Sequence, residues 1–351
     1  MKVALVTTTI NVPTVLALYA KYGPDVMMFI AGDRKTDDIA VTNFLLDACP
    51  NCAYYGIDTQ HSMYPKLSAL IGENCIQRRN IATLEALKWG ADAIVSIDDD
   101  NIPLAKDYFR NFEVVNNDAH PCWSWHGLKA TSPSGWFDVG QILQPKAEHR
   151  GFPHTKRAEP VFSPIVDARI GVAAGICMGD PDIGAVERIA NGPIVHGVSE
   201  ILRSGVVTDP AETWTVFNSQ NTAFIRELAP AMFMLPGIGR YDDIYASLIC
   251  QRVMREMNLH VHFGKPFVWQ QRNKHDLVKD LTMELLGMQN IVHFSDWLDG
   301  WLYSTYARVG EKPSCLAIVS KLFNDFGTHL LPQYTFEAAL AWCDACEQVM
   351  K

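Results

Sequence analysis

Short apolar runs alternate with helical patterns over the first hundred residues of this 351-residue chain. The apolar runs have the length of buried strands, and the segments between them repeat apolar residues every three to four positions, as one face of a helix does. Alternation of this kind is typical of βαβ units and predicts an α/β fold with a mostly parallel sheet. The predicted strands are 2–8, 25–31, 51–57 and 92–97, and the predicted helices are 14–22 and 75–89.

The patterning changes after the first hundred residues. Residues 121–192 are rich in Gly, Pro, His and Trp, which predicts long ordered loops and irregular strands around a site. Beyond residue 275 the pattern is mainly helical. Between these two regions the predicted elements are short strands within 213–224, a helix at Asp242–Met257, and strands at 259–263 and 267–269.

These patterns predict a two-part organisation of the chain. We expect one domain over residues 1–275, divided into parts at 1–103 and 104–275. A helical C-terminal extension should follow at 276–351, where it could support packing or a homo-oligomer.

Composition and charge indicate an ordinary folded protein, with 48% hydrophobic and 20% charged residues. The net charge of -9 argues against a broad nucleic-acid-binding surface, because such affinity comes largely from Lys and Arg. The C-x-x-C pairs Cys49/Cys52 and Cys343/Cys346 lack zinc spacing and are interpreted as structural thiols of a reducing compartment. The N-terminal apolar run is too short for a signal peptide or a membrane span. We therefore expect a cytoplasmic protein.

An acidic triplet, Asp98, Asp99 and Asp100, directly follows the fourth predicted strand. In parallel sheets ligands bind beyond the carboxyl ends of the strands, so this position is favourable for a site. Three adjacent carboxylates repel one another unless a cation neutralises them. Mg²⁺ and Mn²⁺ commonly bind one or two carboxylates together with substrate phosphates. The triplet therefore predicts a clamp for a metal ion and a diphosphate; the alternative is a solvated acidic turn.

Basic and polar residues near the other strand ends could complete such a site. Arg78, Arg79 and Asn80 lie near the start of a predicted helix, where an anion is favoured, although surface arginines are the alternative. Asp33 could accept hydrogen bonds from a nucleotide base or ribose, and Lys35 could contact a phosphate. A Gly-Asp turn is by itself more often only a turn.

Taken together, an ordered set of motifs over about residues 1–280 resembles the STELLO-type glycosyltransferases and, more distantly, the plant reversibly glycosylated polypeptides, which are UDP-arabinopyranose mutases. This chain departs from that pattern in having no N-terminal span, Arg79 where Lys is usual, and Ala82-Thr83 where a Gly-aromatic pair is common. The motifs are residues 8–11 (TTIN), 32–36 (GDRKT), 78–81 (RRNI), 98–103 (DDDNIP), 149–153 (HRGFP), 179–183 (GDPDI), 217–222 (FNSQNT) and 240–244 (RYDDI).

The resemblance implies a GT-A fold, a nucleotide-diphosphate sugar donor such as a UDP sugar, and a Mn²⁺ or Mg²⁺ ion at the Asp-x-Asp-type motif. It assigns residues 1–103 to nucleotide binding and residues 104–275 to the acceptor side. The implied metal ligands are Asp98, Asp100 and a late histidine, His275. The implied donor-binding residues are Thr8, Asn11, Asp33, Lys35, Arg78, Asn80, Asp98 and Asp99.

Other residues are candidates for catalysis or for sugar binding. Asp243, with Asp242 close behind, could act as the general base that deprotonates an acceptor hydroxyl; the alternative is a helix cap. Arg150 occupies the place where mutase-like relatives carry an arginine implicated in self-glycosylation; a structural arginine is the alternative. A set of aromatic residues could form a sugar-stacking wall or could belong to the core: Trp123, Trp125, Trp136 and Phe137.

The predicted function is therefore a metal-dependent glycosyltransferase that moves a sugar from a UDP-type donor to a hydroxyl-bearing acceptor. That acceptor could be a glycan, a small molecule, a protein or a modified nucleic acid. One alternative is a self-glycosylating protein or UDP-sugar mutase. Two others are a glycosyltransferase acting on a modified nucleic-acid base, and a sugar-nucleotide-binding protein without catalysis.

Overall fold

The computed structural model describes residues 1–115, 125–272, 276–303, 314–326 and 331–351. The strands are β1 Val3–Thr8, β2 Met27–Ala31, β3 Cys52–Tyr55, β4 Ala93–Ile97, β5 Asn101–Pro103, β6 Trp125–Thr131, β7 Trp136–Phe137, β8 Leu143–Gln144, β9 Val161–Ala168, β10 Ile170–Gly179, β11 Gly197–Val198, β12 Val206–Thr208, β13 Trp214–Thr215, β14 Asn221–Ile225 and β15 His260–Gln270. The helices are α1 Leu16–Tyr22, α2 Asp38–Ala48, α3 Ile57–Met63, α4 Pro65–Ile71, α5 Arg79–Trp89, α6 Ala185–Ala190, α7 Glu200–Ser204, α8 Asp242–Met257, α9 Leu277–Gly300, α10 Cys315–Asp325 and α11 Gln333–Val349.

One large sheet organises the molecule, in the order β3-β2-β1-β4-β14-β10-β15-β12-β6-β9, with β5 paired to β15. Strands β1 to β4 pair in parallel, whereas β14 is antiparallel to both β4 and β10. All five residues of β4 are buried, as expected of a strand covered on both faces. The predicted α/β class is confirmed, with the parallel part in the N-terminal half and mixed pairing beyond it.

The prediction of loops and irregular strands over residues 121–192 is wrong for 161–179, where β9 and the ten-residue β10 lie. Strand β10 occupies the middle of the sheet between β14 and β15. Its sequence, IGVAAGICMG, is too rich in Gly and Ala to show a clear strand pattern. The small residues have a packing reason, because a Cβ on Gly175 would collide with the Asn221 side chain and the Pro266 carbonyl.

The C-terminal helices pack on the rest of the fold. Helix α11 contacts α4 and α5, and α9 contacts α8. Trp342 of α11 is fully buried, donates from Nε1 to the Pro230 carbonyl at 2.9 Å and stacks on Phe233. Across the described ranges, no helix combines the length and the apolar character needed to cross a bilayer. The proposed homo-oligomer remains a prediction.

Candidate active site

Two neighbouring cavities open at the carboxyl ends of β1 and β4. The first, of about 350 Å³, is lined partly by Asp242 and Asp243 at the start of α8 and is called the α8 cavity. The second, of about 250 Å³, is lined partly by residues 8–10 after β1 and is called the β1 cavity. Both are lined by Asn74, Cys75, Ile76, Asp98 and Asp100. The acidic triplet therefore lies at the boundary between them.

The three aspartates of the triplet have different surroundings. Asp98 Oδ1 accepts a hydrogen bond from Arg79 Nη2 at 2.5 Å, and Asp99 Oδ2 accepts one from Thr9 Oγ1 at 2.5 Å. Asp100 Oδ1 is buried and has no hydrogen-bond partner. Burial, reinforced by repulsion from Asp98 and Asp99, raises the pKa of Asp100 to about 6. An unpartnered buried acceptor costs about 1–3 kcal/mol, so this oxygen is set up to receive a cation or a donor.

Arg79 links the triplet to the loop that precedes β14. It is buried, and its Nη1 donates to the Ser219 carbonyl at 2.8 Å and to Ser219 Oγ at 3.0 Å. Its Nε is buried without a partner. The sequence predicted Arg79, together with Arg78, near a helix start that favours an anion, but did not assign it to the donor site; Arg79 lines the β1 cavity beside Asp98.

Arg78 lies at the start of α5, as predicted, but its side chain binds the end of α4. It is fully buried, donates from Nη2 to the Ser68 carbonyl at 2.8 Å and from Nη1 to Ser68 Oγ at 2.5 Å, and also bonds the Gly72 carbonyl. Desolvation lowers the pKa of this guanidinium. The placement does not fit the predicted contact with a diphosphate, because Arg78 lines neither cavity and its donors secure the end of α4.

We expect Arg78→Ala to lower the free energy of unfolding by about 3 kcal/mol, because buried carbonyls lose a charged donor. Urea denaturation measures this change. Arg34→Ala, which removes exposed ion pairs with Glu73 and Asp58, is the matched control and should have a far smaller effect. A folded Arg78→Ala protein with unchanged stability and weakened UDP binding would instead support the predicted contact between Arg78 and the diphosphate.

Asn80 is also a structural residue here. Its Nδ2 donates to the Met234 carbonyl at 3.0 Å, and its Oδ1 accepts from the Met234 amide at 3.0 Å. The side chain is buried and lines neither cavity. This reciprocal pair attaches the start of α5 to residues 232–236, so the predicted diphosphate contact is not supported by its position.

The Asp33 carboxylate organises the wall shared by both cavities. It accepts from the backbone N–H groups of Arg34 and Asn74, each at 2.7 Å, and of Cys75 at 2.8 Å. These bonds fix residues 74–76. Since a carboxylate offers about four acceptor sites, one more donor could be accommodated, and the nucleoside contact stays a prediction.

The other donor-side predictions fall near the β1 cavity. Thr8 lines it, while its Oγ1 donates to the Ala31 carbonyl at 2.8 Å. Asn11 and Lys35 are exposed and line neither cavity. Their contacts with a donor stay predictions. His275, the predicted third metal ligand, lies outside the described residues.

Asp242 and Asp243 begin α8 and face the α8 cavity with different partners. Asp242 Oδ2 accepts from Gln77 Nε2 at 2.8 Å. Burial, then repulsion from Asp243, raises the pKa of Asp242 to about 7, although Arg150 opposes the shift. Asp243 accepts from Arg150 Nη2 at 3.0 Å and from the Ser219 amide at 3.1 Å. Because Asp243 is held in an ion pair with Arg150 and Asp242 accepts from a neutral amide, Asp242 is the better candidate for the proton acceptor.

Arg150 is the centre of a buried ion-pair network. Its Nε and Nη2 donate to the two oxygens of Asp182 at 3.0 and 2.8 Å, and Nη1 bonds the Arg240 carbonyl. The two neighbouring carboxylates, Asp182 and Asp243, hold its pKa well above the usual value, against the effect of burial. Asp182 was not singled out from the sequence, although it lies in one of the recognised motifs.

Arg272 lines the α8 cavity together with Asp98 and Asp100. Its Nη2 lies 3.8 Å from Asp182 Oδ1 and its Nε lies 3.9 Å from Asp180 Oδ1, which are long ion pairs. Arg272 Nε is buried without a hydrogen-bond partner. Its charge partly offsets the rise in the pKa of Asp100. Arg272 and Arg79 thus place guanidinium groups with unused donors on two sides of the triplet.

The predicted aromatic wall belongs to the core as far as it is described. Trp136 and Phe137 are buried, with Trp136 against Trp214 and Phe137 against Phe263. Trp125 packs edge-on against His262. None of the three lines the two cavities. Trp123 lies outside the described residues.

The donor set at the triplet fits a hard cation that arrives with a phosphate ligand. Within the described part of the chain, no group of three or more His, Cys, Asp or Glu is arranged to hold a metal ion. Mg²⁺, however, often takes only one or two carboxylates and completes its shell with substrate phosphates and water. Asp98 and Asp100, with the unpartnered Asp100 Oδ1, meet that requirement.

Comparison with curated proteins finds plant relatives of one kind. The chain is 28% identical over 173 residues to UDP-arabinopyranose mutase 1 of Oryza sativa subsp. japonica, a match of 46% of this chain and 44% of that protein. It is 26% identical over 211 residues to a Solanum tuberosum protein named "Probable UDP-arabinopyranose mutase 2", covering 57% and 53%. The chain thus spans about half the length of the curated relatives it matches. No protein-family model matches the chain.

Two solved structures are among those similar to this chain. Glucosyl-3-phosphoglycerate synthase from Mycobacterium tuberculosis, in complex with Mn²⁺ and UDP-glucose, gives a TM-score of 0.43 at 11% identity, covering 84% of this chain and 79% of that one. TarS of S. aureus, in complex with UDP-GlcNAc, gives 0.40 at 10% identity, covering 100% and 90%. The more specific resemblance to STELLO-type enzymes stays a prediction.

Proposed function

We propose that this protein is a glycosyltransferase that moves a sugar from a UDP-type donor to a hydroxyl acceptor with the help of a divalent cation. The observation that carries the proposal is the acidic triplet between two cavities, with the buried and unpartnered Asp100 Oδ1. The names of the plant relatives, which are UDP-arabinopyranose mutases, support UDP as the nucleotide part of the donor.

The charge of the α8 cavity explains why a cation is required. A diphosphate brought against these acids alone would be repelled. A divalent ion at Asp98 and Asp100 neutralises these two carboxylates at the boundary of the two cavities, and Arg79 and Arg272 supply further positive charge there. The charged lining residues of the α8 cavity are the acids Asp98, Asp100, Asp182, Asp242 and Asp243 and the arginines Arg150, Arg240 and Arg272.

The two cavities divide the substrates between them. We assign the β1 cavity to the nucleotide and the α8 cavity to the sugar and the acceptor, because the proposed base, Asp242, lines only the α8 cavity. The diphosphate then lies over the triplet at the boundary. We assign the contact with the diphosphate to Arg79 and Arg272, in place of Arg78, for which that role was predicted.

The transfer exchanges one glycosidic bond for another. The bond between the anomeric carbon and the diphosphate oxygen breaks, and a bond forms between that carbon and the acceptor oxygen. Asp242 accepts the acceptor's hydroxyl proton, and the electron pair of the broken bond stays on the nucleoside diphosphate. When bound, the cation supplies charge stabilisation to that leaving group. Arg150 and Ser219 hold Asp243 beside the base.

A UDP-sugar mutase is the second candidate, because it is the activity named for the plant relatives. The surroundings of Arg150 weigh against self-glycosylation at this residue, which was one of two interpretations of it. Each of its guanidinium nitrogens has a hydrogen-bond partner, it is 6% exposed, and its raised pKa keeps it protonated. A protonated guanidinium has no free electron pair with which to attack a sugar.

The experiment that tests the proposed transfer uses radiolabelled UDP sugars with Mn²⁺, with and without a panel of hydroxyl acceptors. We expect label to move to an added acceptor and none to stay on the protein. Stable label on the protein that disappears in Arg150→Ala would establish self-glycosylation instead. Conversion of UDP-arabinopyranose to its furanose isomer without an acceptor would establish the mutase.

A further inference from the structure

A glutamine in the loop before β14 carries an unused oxygen beside the acidic triplet. Gln220 is 6% exposed, lines the α8 cavity together with Asp98 and Asp100, and has a buried Oε1 without a hydrogen-bond partner. Gln77 in the same cavity differs, because its amide is engaged with Asp242. A buried amide oxygen without a hydrogen-bond partner lowers the stability of the folded protein, so its presence here needs an explanation.

The backbone fixes Gln220 against the triplet. The backbone carbonyl of Gln220 accepts from the backbone N–H of Asp98 at 3.1 Å and from Asn101 Nδ2 at 2.6 Å. The backbone N–H of Gln220 donates to Asn218 Oδ1 at 3.1 Å. The next residue, Asn221, pairs with Ile97 at the end of β4. These bonds join two neighbouring segments, 98–101 and 218–221. The first segment carries the unpartnered Asp100 Oδ1, and the second carries the unpartnered Gln220 Oε1.

We infer that Gln220 Oε1 is a ligand of the divalent cation, next to the carboxylate of Asp100. This inference rests on the proposed function, since it concerns the ion that the triplet is proposed to hold. Amide oxygens, like carboxylates, are hard ligands suited to Mg²⁺ and Mn²⁺. Both residues line the α8 cavity, and an ion bound by both oxygens would give each the partner that it lacks.

With Gln220 included, the proposed cation has a third protein ligand, which the acidic residues alone do not supply. The described His, Cys, Asp and Glu side chains do not form a group of three around an ion. A neutral amide adds a third protein oxygen, after Asp98 and Asp100, without adding another negative charge to an acidic cavity. Asn101, whose Oδ1 is also unpartnered, lines neither cavity and acts by holding Gln220.

Mn²⁺ binding in the presence of UDP tests the inference without any measurement of activity. Titration of Mn²⁺ followed by the electron paramagnetic resonance signal of the free ion gives its Kd. We expect Gln220→Met to weaken Mn²⁺ binding at least about tenfold. Gln220→Glu, which keeps an oxygen at this position, should bind Mn²⁺ as tightly as the wild type or more tightly. Gln77→Met is the matched control and should leave the Kd unchanged.

The outcomes separate this inference from the proposed function. If Gln220→Met binds Mn²⁺ like the wild type while Asp100→Ala, which removes the ligand oxygens, does not, Gln220 is no ligand and the metal clamp stands. If neither substitution alters the Kd, the clamp itself is wrong. Should Gln220→Met fail to fold, Gln220→Glu decides the matter, because weaker Mn²⁺ binding by that variant would overturn the assignment.

Discussion

Asp100→Asn is expected to reduce kcat/KM for the UDP-sugar donor by at least about a hundredfold, the scale seen when one preorganised charge-stabilising group is removed. The reason is that Asp100 Oδ1 is the buried oxygen left open for the cation. The fold should survive, because a neutral amide relieves the repulsion that raises the pKa of this carboxyl to about 6. Steady-state kinetics and thermal unfolding of the same preparation check both statements.

Asp92→Asn is the control for this substitution. Asp92 precedes β4 at the end opposite the triplet, where its carboxylate accepts from the backbone amide of Lys2. The same loss of one charge should leave kcat/KM unchanged there. An Asp100→Asn enzyme that retains full metal-dependent turnover would refute the clamp.

Asp242→Asn is expected to lower kcat by about 10²–10⁴, the usual contribution of a general base. Burial and the neighbouring Asp243 raise the pKa of Asp242 to about 7, against the opposing charge of Arg150. A base must be deprotonated, so kcat of the wild type should rise with pH through about 7. That limb of the pH profile should vanish in the variant, while the Kd for UDP with Mn²⁺ stays the same.

The same pKa has a consequence for stability. The carboxyl binds its proton more tightly in the folded protein than in the unfolded chain, where its pKa is about 3.9. The folded state therefore gains stability as pH falls through about 7 and loses it as pH rises. Asp242→Asn should flatten this dependence. A variant that keeps both the wild-type kcat and the wild-type pH profile would show that another group accepts the proton.

The sequence predicted the N-terminal half of the fold well, because its strands are clean apolar runs ending in polar loops. It also identified the acidic triplet, since three carboxylates at a strand end stand out whatever the packing. Strand β10 was not predicted, because its many Gly and Ala residues hide the hydrophobic pattern of a strand. Those residues are explained by close packing against neighbouring backbone, which no local pattern reports.

The sequence also could not show which of two adjacent arginines, Arg78 or Arg79, lines the site. Arg78 ends a short 3₁₀ turn and Arg79 begins α5, so one step along the chain turns the side chain from the end of α4 to the strand ends. Which of the two faces the cavities depends on the geometry of that turn. Likewise, Asp182 and Arg272 reach the site from distant segments. Only the fold reveals that they meet Arg150 and the triplet there.

The measurement that tests the central claim most directly is the affinity of UDP by isothermal titration calorimetry, with Mn²⁺ and with EDTA. A cation gripped by Asp98 and Asp100 should make tight UDP binding depend on Mn²⁺. Removal of the ion, or Asp100→Asn, should weaken binding at least about a hundredfold, the scale of losing one charge-stabilising contact. Equal UDP affinity with Mn²⁺ and with EDTA would contradict the account.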